Sequence, residues 1–545
     1  MDLKLLDAEP TDAEREAVDA VVGAEVPNGS RVARRDRNRR HLLLPALRAA
    51  QRRVGWVTPG ALGYTSRRLD VPPADAYGVA TFYALLSLEE RAPEVLHVCT
   101  DLSCRLAGAE VPEGAVPSPC LGLCERAPAS LRTIAGPSPR EEQIPPTSPP
   151  LPQTSGLKLL RRIAEGADPE SRPEFRALER ARELGPERVI ELVKASPLLG
   201  RGGAAFPTGV KWEAVASQPA QPHYLVCNAD ESEPGTFKDR VLMEQDPFGL
   251  IEAMAVAAFA TGCEKAFVYV RAEYPLAHER LQNAIDRSDV GVEIELRIGA
   301  GAYVCGEETA LFQSIEGYRG EPRNKPPFPV EVGLYGKPTV VNNVETLLNV
   351  PHVLLNAGSI AGGAGDAQRS ATGDDPRDTR LFCVSGHVAR PGLYELELGT
   401  PLTELLELAG SEPPKAVLLG GAAGSFLRPD QLDLPLSFEG ARDAGATLGS
   451  GVVIVYGEQA DLVDAVLRIA EFFRDESCGQ CVPCRIGTVR QEEALHRLAS
   501  GKTIGDELDV LADLTQVMRD ASICGLGQTA ANAVDSAIHN LGVLA

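Results

Sequence analysis

The chain has 545 residues, of which 44% are hydrophobic, and its formal net charge is −22. This length predicts several domains with buried cores, and the acidic balance argues against a surface for nucleic acid or anionic lipid. No apolar run reaches the roughly 18 residues of a membrane span, and the N-terminus lacks the layout of a secretion signal. Eight of the 12 cysteines fall into two groups with metal-ligand spacing, which indicates cytoplasmic metal chemistry and not a disulfide framework.

The first part of the chain is predicted to be helical over residues 1–90. Ala17–Val22 and His41–Arg52 carry apolar residues at three-to-four spacing, which is the period of one helix face. After the first cysteine group, prolines crowd residues 136–156, with serine and threonine between them. Such a segment donates few ladder hydrogen bonds and buries little apolar surface, so it predicts a linker between domains.

The first cysteine group lies in residues 91–135. It consists of two pairs, Cys99 with Cys104 and Cys120 with Cys124, on two separate stretches of chain. Two pairs on two loops are able to hold a [2Fe–2S] cluster, each pair binding one iron. Zinc and an empty remnant of such a site are the alternatives.

The central and C-terminal parts divide into three by pattern. Residues 157–376 alternate glycine-rich turns and helical stretches with short apolar strands such as His223–Cys227 and Lys265–Val270, which predicts an α/β domain. Residues 377–460 switch to short strands and turns, and residues 461–545 return to a helical period.

A glycine-rich loop stands near the start of the α/β region. Gly200, Gly202 and Gly203 let a main chain approach a ligand closely, and Arg201 and Lys211 supply positive charge for a phosphate. The loop matches neither of the common nucleotide-binding spacings. By itself it is as consistent with a plain turn as with a phosphate site.

The motif Asn228–Arg240 follows a predicted strand directly and is rich in amide and carboxylate groups. The carboxyl ends of strands are where α/β folds place ligands. Such groups are able to bond flavin ring N–H groups and ribityl hydroxyls. A charged surface loop is the competing interpretation.

The second cysteine group carries the strongest signal. Cys478, Cys481 and Cys484 stand at spacing three in one loop, and Cys524 follows about forty residues later. Three thiolates in one loop with a remote fourth match a [4Fe–4S] cluster. A structural zinc ion usually draws two separated pairs instead, and zinc or unligated thiols remain the alternatives.

Three further segments, Tyr303–Thr309, Asn324–Val330 and Val341–Thr346, complete a series of motifs in order. Together they resemble the NADH-oxidising flavin subunit of respiratory complex I and its relatives in NAD-linked hydrogenases and formate dehydrogenases. The first cysteine group, with Pro72–Tyr83 before it, resembles the thioredoxin-like [2Fe–2S] subunit of the same complexes. The chain therefore looks like a fusion of two subunits.

The resemblance implies a multidomain α/β and α+β fold. It implies a helical N-terminus with a thioredoxin-like domain, a Rossmann-like FMN domain, a ubiquitin-like β-grasp domain and a C-terminal helical bundle that carries the [4Fe–4S] cluster. Since only fifteen residues separate Cys104 from Cys120, the thioredoxin-like domain is expected to be trimmed. NADH is expected to reduce FMN by hydride transfer, and FMN to release single electrons to the clusters.

The resemblance also implies roles for particular residues. The expected FMN contacts are Gly200, Arg201, Gly202, Lys211, Asn228, Asp230, Glu231, Tyr303, Gly306, Glu307, Asn342 and Asn343. The expected NADH contacts are Phe206, Glu233, Glu308, Lys325 and Phe328, with Glu233 and Glu308 as candidate catalytic residues. This chain departs from its relatives at Ala205, where a glycine is usual, and at Ala214, where a phenylalanine is frequent.

These observations predict an NADH dehydrogenase (diaphorase) subunit of an NAD-linked formate dehydrogenase or hydrogenase, with the NADH-input module of complex I as the alternative. A larger redox subunit is expected as partner, because no molybdopterin, nickel or quinone site is recognisable. The expected location is cytoplasmic, with any membrane association made through partners. A scaffold with degenerate sites is the competing class, and it conflicts with the retained cysteines and charged motif residues.

Overall fold

The computed structural model describes residues 8–23, 39–153, 155–356 and 378–544. The predicted boundary between the α/β and β-grasp domains, at residues 376 and 377, lies outside these ranges. Three sheets, with helices around them, make up the described chain. This is the mixture of α/β and α+β units that the sequence predicts.

The N-terminal region is helical where it is described. Its α-helices are α1 (Asp12–Val22), α2 (Leu43–Val54), α3 (Pro59–Leu69) and α4 (Pro73–Ala80). Helix α1 begins with a capping box, in which Thr11 and Glu14 bond each other's main-chain N–H groups. Thr58 caps α3, and Pro59 stands in its first turn, where its missing N–H costs no intrahelical bond.

A small sheet follows, in the order β2-β1-β3-β4. Its elements are β1 (Glu94–Cys99), α5 (Leu102–Leu106), β2 (Val116–Ser118), β3 (Ser130–Ile134) and β4 (Arg140–Ile144). Strand β1 runs parallel to β2 and antiparallel to β3. Between Cys104 and Cys120 the chain holds the end of α5 and the three-residue β2, which is the compact form that the short spacing predicts.

Strand β4 corrects the prediction of a linker over residues 136–156. Residues 140–144 pair antiparallel with β3, from Ser130 opposite Ile144 to Ile134 opposite Arg140. The prolines concealed this strand in the sequence because they flank it, at positions 139 and 145, and leave its own N–H groups able to pair. The connection to the next domain therefore begins after Ile144.

A parallel sheet in the order β7-β6-β5-β8 is the centre of the α/β domain. Its strands are β5 (His223–Ala229), β6 (Cys263–Val270), β7 (Glu293–Ile298) and β8 (Thr339–Asn343). The helices are α6 (Arg161–Ala164), α7 (Arg176–Leu184), α8 (Pro186–Ala195), α9 (Thr208–Ala216), α10 (Lys238–Gln245), α11 (Pro247–Thr261), α12 (Pro275–Asp286), α13 (Glu308–Ile315) and α14 (Val344–Leu355). Asn228 of β5 is aligned with Asn343 of β8. The carboxyl ends of β5 and β8 therefore meet at one edge of the sheet, where α/β folds bind ligands.

A mixed sheet in the order β10-β9-β13-β11-β12 follows, with β9 parallel to β13. Its elements are β9 (Thr379–Gly386), β10 (Gly392–Glu397), α15 (Leu402–Ala409), β11 (Ala416–Leu419), β12 (Ser425–Leu427), α16 (Phe438–Asp443) and β13 (Val452–Tyr456). The C-terminal helices are α17 (Leu462–Asp475), α18 (Val482–Ser500), α19 (Glu507–Ala521), α20 (Gly525–Thr529) and α21 (Asn532–Leu541).

One hydrophobic core extends through several of these domains. It includes Leu47 of α2, Phe312 of α13, Ile454 of β13 and Phe473 of α17, each completely buried. The N-terminal helices therefore pack on the α/β domain and are held by more than the connecting chain. In the part of the chain that the structure describes, no helix has the length and apolar character needed to cross a bilayer.

Candidate functional site

The second cysteine group forms a pocket between α17, α18 and α20. Cys478, Cys481, Cys484 and Cys524 all line it, together with apolar side chains such as Val304 and Leu526. Cys481 is the N-cap residue of α18 and Cys524 is the N-cap residue of α20. The ends of two helices therefore bring the remote cysteine to the loop that carries the other three, which is the set that the sequence predicts.

The four thiols of this pocket have the arrangement of [4Fe–4S] ligands, with three on one loop and a fourth from a remote helix start. Burial raises the pKa of Cys484 to about 12 and that of Cys524 to about 11. These thiols are therefore protonated at neutral pH, and iron binding must displace their protons.

The glycine-rich loop lies against the carboxyl end of β8. A Cβ atom on Gly202 would come within 3.2 Å of the Asn343 Cβ, so this position allows the close approach that the sequence predicts. No atom of the described residues lies within 4 Å of the corresponding point on Gly203. The Lys211 ammonium donates to the main-chain oxygen of Val341 at 3.2 Å, which places its charge at the same edge.

The Arg201 side chain is completely buried beside this loop. Its Nη2 atom pairs with Asp378 and bonds the Thr379 oxygen, whereas its Nε and Nη1 atoms have no partner among the residues that the structure describes. A buried guanidinium with unsatisfied N–H groups is costly unless an acceptor binds there. A phosphate group fits this requirement, so the donor set at the loop suits FMN.

Several predicted FMN contacts converge at the end of β5. The Asn228 amide donates to the Gly306 oxygen at 2.7 Å, and the Asp230 carboxyl oxygen lies 3.8 Å from the position of a Cβ atom on Gly306. Burial raises the pKa of Asp230 well above its usual range. Tyr303 begins the segment that contains Gly306, and its main-chain N–H donates to Glu476 at 2.8 Å.

The two predicted contacts on β8, Asn342 and Asn343, are bonded by buried side chains that were not predicted as part of the site. The Asn342 amide oxygen accepts from the Trp212 indole at 2.8 Å. Asn343 contacts Lys238, whose ammonium also pairs with Asp239 and, at 3.1 Å, with Glu345. In the sequence, these buried charges are indicated by Lys238 and Asp239 near the end of the Asn228–Arg240 motif.

Two of the carboxylates predicted to contact FMN accept hydrogen bonds from main-chain N–H groups of the protein. Glu231 accepts the main-chain N–H groups of Asp239 and Arg240, at 2.8 and 2.9 Å, and burial raises its pKa to about 8. Glu307 accepts the N–H groups of Thr309 and Ala310 and so caps α13. Each side chain thus stabilises the start of a helix beside the site, a role that the sequence analysis did not assign to it.

The predicted NADH contacts include two exposed aromatic rings and a lysine bonded to two glutamates. Phe206 is 49% exposed and Phe328 is 52% exposed, which is unusual for phenylalanine. The Lys325 ammonium bonds Glu307 at 2.8 Å and Glu308 at 3.0 Å. Burial favours the neutral form of Glu308, but Lys211 and Lys325 outweigh it and lower the pKa of that carboxyl.

Glu233 reaches from the α/β domain to the β-grasp domain. Its carboxylate accepts the Ala423 N–H at 2.9 Å and lies against Gly421. Burial raises the pKa of Glu233 to about 7. A carboxyl with this pKa changes its charge near neutral pH, so its environment is unlike that of a surface glutamate.

The four thiols of the first cysteine group also meet in one place. Cys99, Cys104, Cys120 and Cys124 are all at least 96% buried. The Sγ atoms of Cys120 and Cys124 are 3.4 Å apart, and Cys99 contacts both Cys104 and Cys120. Asp101 holds the two loops together, since its carboxylate accepts the N–H of Cys120 at 3.2 Å. This convergence matches a two-iron site.

Comparison with known protein families agrees with this arrangement. The Nuo51 FMN-binding domain model matches residues 193–352, and the NADH-ubiquinone oxidoreductase-F iron–sulfur binding region matches residues 464–542. The thioredoxin-like [2Fe–2S] ferredoxin model matches residues 30–113, and the SLBB domain model matches residues 381–419. The fold and sites thus define an iron–sulfur flavoprotein. The predicted cofactors FMN, [4Fe–4S] and [2Fe–2S] are confirmed at the level of these families.

Individual relatives place the chain more narrowly. It is 43% identical to an F-type NADH-quinone oxidoreductase subunit of Rhizobium meliloti, over 67% of this chain and 90% of that protein. It is 40% identical to the NADP-reducing hydrogenase subunit HndC of Solidesulfovibrio fructosivorans, over 69% of this chain and 80% of that protein. The chain belongs to the family of F-type NADH-quinone oxidoreductase subunits.

A solved structure matches the chain over a greater length. The crystal structure of an NAD+-reducing [NiFe]-hydrogenase in its air-oxidised state contains a chain with a TM-score of 0.75 and 32% identity to this one. The match covers 92% of this chain and 92% of the hydrogenase chain. It therefore includes the N-terminal cysteine domain together with the α/β core.

Proposed function

We propose that this chain is the diaphorase subunit of an NAD-linked hydrogenase or formate dehydrogenase, which oxidises NADH and passes electrons singly to a larger redox subunit. The match to the NAD+-reducing [NiFe]-hydrogenase supports this most, because it extends over 92% of both chains. The F-type relative from Rhizobium meliloti, by contrast, aligns with 67% of this chain. The structural match thus extends into the N-terminal region that carries the first cysteine group of this chain.

The FMN site is assigned to the edge formed by β5, β8 and the glycine-rich loop. FMN, when bound, accepts a hydride and releases its two electrons one at a time, which nicotinamide alone is unable to do. Arg201 and Lys211 hold the phosphate. The ribityl chain and ring meet Gly200, Gly202, Asn228, Asp230, Tyr303, Gly306, Asn342 and Asn343, with Glu231 and Glu307 supporting the site through the helices that they cap.

The NADH site is assigned to the open side of this edge. The exposed rings of Phe206 and Phe328 offer stacking surfaces for adenine and nicotinamide. Lys325 is held by Glu307 and Glu308, so its ammonium is positioned before the dinucleotide arrives. Glu233 and Glu308 are the candidate catalytic residues, and both act by orienting the dinucleotide. Hydride transfer itself needs no proton-transfer residue.

The alternative is the NADH-input module of complex I. It is favoured by the 43% identity to an F-type NADH-quinone oxidoreductase subunit over 90% of that protein. Either function requires a larger iron–sulfur partner, and any association with a membrane is made through that partner. Copurification of the tagged chain, followed by assays of hydrogen-, formate- and quinone-dependent NAD+ or NADH turnover, separates the two proposals.

Electron delivery is tested with Cys481→Ala, which removes one ligand of the [4Fe–4S] cluster. Anaerobic NADH is expected to bleach the flavin absorbance of this variant as in the wild type, while electron delivery to the partner is abolished. Cys263→Ala is the matched control, because Cys263 is a buried thiol outside both cysteine groups. Undiminished delivery in Cys481→Ala contradicts the proposed route.

A further inference from the structure

The loop that carries Cys120 packs directly on the predicted flavin site. Arg271 lies between them: its Nη2 atom donates to the Cys120 oxygen at 2.5 Å and its Nη1 atom to the Glu231 oxygen at 2.6 Å. Tyr274 reinforces this contact, since its hydroxyl donates to the Glu231 oxygen at 3.2 Å and lies against Gly122. One guanidinium therefore joins a cluster ligand to a main-chain group of the flavin motif.

The charge of Arg271 is screened little by water. The residue is 3% exposed and pairs with Glu273 at 2.7 Å, and its Nε atom has no hydrogen-bond partner within the described ranges of the chain. One oxygen of the Glu273 carboxylate is buried, and no described residue bonds it. Charges in such a dry site act on their neighbours more strongly than charges at a surface.

Reduction of a [2Fe–2S] cluster adds one electron and one negative charge. A nearby buried cation stabilises the reduced form and raises the reduction potential, and a nearby buried carboxylate has the opposite effect. Arg271 bonds the Cys120 main chain directly, and Glu273 is the anion paired with it. Their effects on the potential are therefore expected to differ in sign, which a purely structural role does not predict.

We propose that Arg271 is a positioning residue that sets the reduction potential of the N-terminal [2Fe–2S] cluster and holds the Cys120 loop against the Glu231 main chain. Through this bridge the charge state of the N-terminal cluster is felt at the flavin site. The proposal rests on the assignment of the cofactor sites under the proposed function, and it adds a residue outside both cysteine groups and outside the flavin motifs.

The test is a redox titration of the full-length protein, reduced with dithionite and followed by electron paramagnetic resonance. Arg271→Met is expected to lower the midpoint potential of the [2Fe–2S] signal. Arg271→Lys keeps the positive charge, so its midpoint potential is expected to stay close to that of the wild type. The isosteric Glu273→Gln is expected to raise it. The [4Fe–4S] signal in the same samples serves as the internal reference and is expected to stay unchanged.

Arg132→Met is the matched control, because Arg132 is a partly exposed arginine on β3 of the sheet that carries the first cysteine group. If Arg271→Met assembles no N-terminal cluster, Glu273→Gln alone decides the test. An unchanged [2Fe–2S] potential in Glu273→Gln, or an equal shift of both clusters, overturns the proposal. Dithionite replaces NADH in this experiment, so failure of NADH oxidation, which overturns the proposed function, is a separate result.

Discussion

At the scale of single residues, Ala205 is the clearest departure from what the glycine-rich loop requires. Its φ angle is 51°, in the left-handed region that favours glycine. An L-residue pays about 1–2 kcal/mol in that region. The resemblance predicts a glycine where Ala205 stands, and the backbone explains why glycine is suited to this position.

Ala205→Gly is expected to raise the free energy of unfolding by up to about 1 kcal/mol, because the relief of strain exceeds the added chain entropy. Ala204→Gly, one residue earlier and not among the positive-φ positions of the described chain, is expected to lower it by about 0.5–1 kcal/mol. Thermal melting of both variants checks this. A lower melting temperature for Ala205→Gly than for the wild type contradicts the account.

Glu233 should make stability depend on pH. Burial raises its pKa to about 7 from a usual value of 4.5. The folded protein therefore keeps this proton when the unfolded chain has lost it, and the stabilisation declines as pH rises from about 4.5 through 7. Above that range the folded state carries a poorly solvated charge.

Glu233→Gln removes this dependence. The free energy of unfolding of the variant relative to that of the wild type is expected to increase by about 1–2 kcal/mol between pH 5 and pH 8. The difference between their melting temperatures is expected to increase with it. Glu412→Gln, at an exposed carboxylate of the β-grasp domain that Glu233 contacts, should show no such trend. A constant difference between Glu233→Gln and the wild type across this range would falsify the assignment.

At the scale of elements, the [4Fe–4S] pocket depends on how tightly the short helix α20 sits against the cysteine loop. A Cβ atom on Gly527 of α20 would lie 2.4 Å from the Ser522 Oγ and 2.9 Å from the Cys484 Cβ. Both distances are too short for a real contact. Gly527 therefore fixes the approach of the helix that Cys524 begins.

Gly527→Ala is expected to displace Cys484 and to reduce cluster incorporation, measured as iron content and as the [4Fe–4S] resonance signal. Gly525→Ala is the matched control, since Gly525 lies in the same helix and its added Cβ has no neighbour within 4 Å in the part of the chain that the structure describes. Equal iron content in the two variants would show that this close approach is not needed. Flavin content is expected to be unaffected in both.

The elements also show what the sequence was able to predict. The cysteine loop was predictable because three ligands at spacing three are a local pattern. The fourth ligand required only that one distant cysteine, Cys524, be assigned to that loop. The capping role of Glu231 was not predictable from the sequence. The N–H groups that donate to its carboxylate belong to a helix whose first residue is determined by tertiary packing. Strand β4 was missed for a similar reason, since its partner strand, and not its own composition, determines that it pairs.

At the scale of the whole molecule, the N-terminal cysteine domain is packed on the α/β domain and not merely tethered to it. Gly122 lies so close to Tyr274 that a Cβ atom on it would be 2.1 Å from the Tyr274 hydroxyl oxygen. Arg240, completely buried, donates to the Gly122 oxygen at 3.0 Å. Both domains therefore determine the conformation of one loop.

Gly122→Ala is expected to loosen this interface, so that limited proteolysis cuts more rapidly in the proline-rich connection after Ile144. Gly114→Ala controls for backbone strain, since both glycines have positive φ, at 66° and 81°, but Gly114 has open space around its Cβ position. Indistinguishable cleavage rates for the two variants would argue against a tight interface. The rates are compared by electrophoresis over a time course.

The ion pairs of this interface have a consequence for its behaviour in salt. Arg240 pairs with Glu125 from the cysteine domain and, at 2.9 Å, with Glu244 of its own helix, and all three side chains are at least 96% buried. Dissolved ions weaken attraction between charges that face the solvent, but they do not enter a dry contact. The two halves of the fusion should therefore remain associated at high salt concentration, even after a protease has cleaved the chain between them.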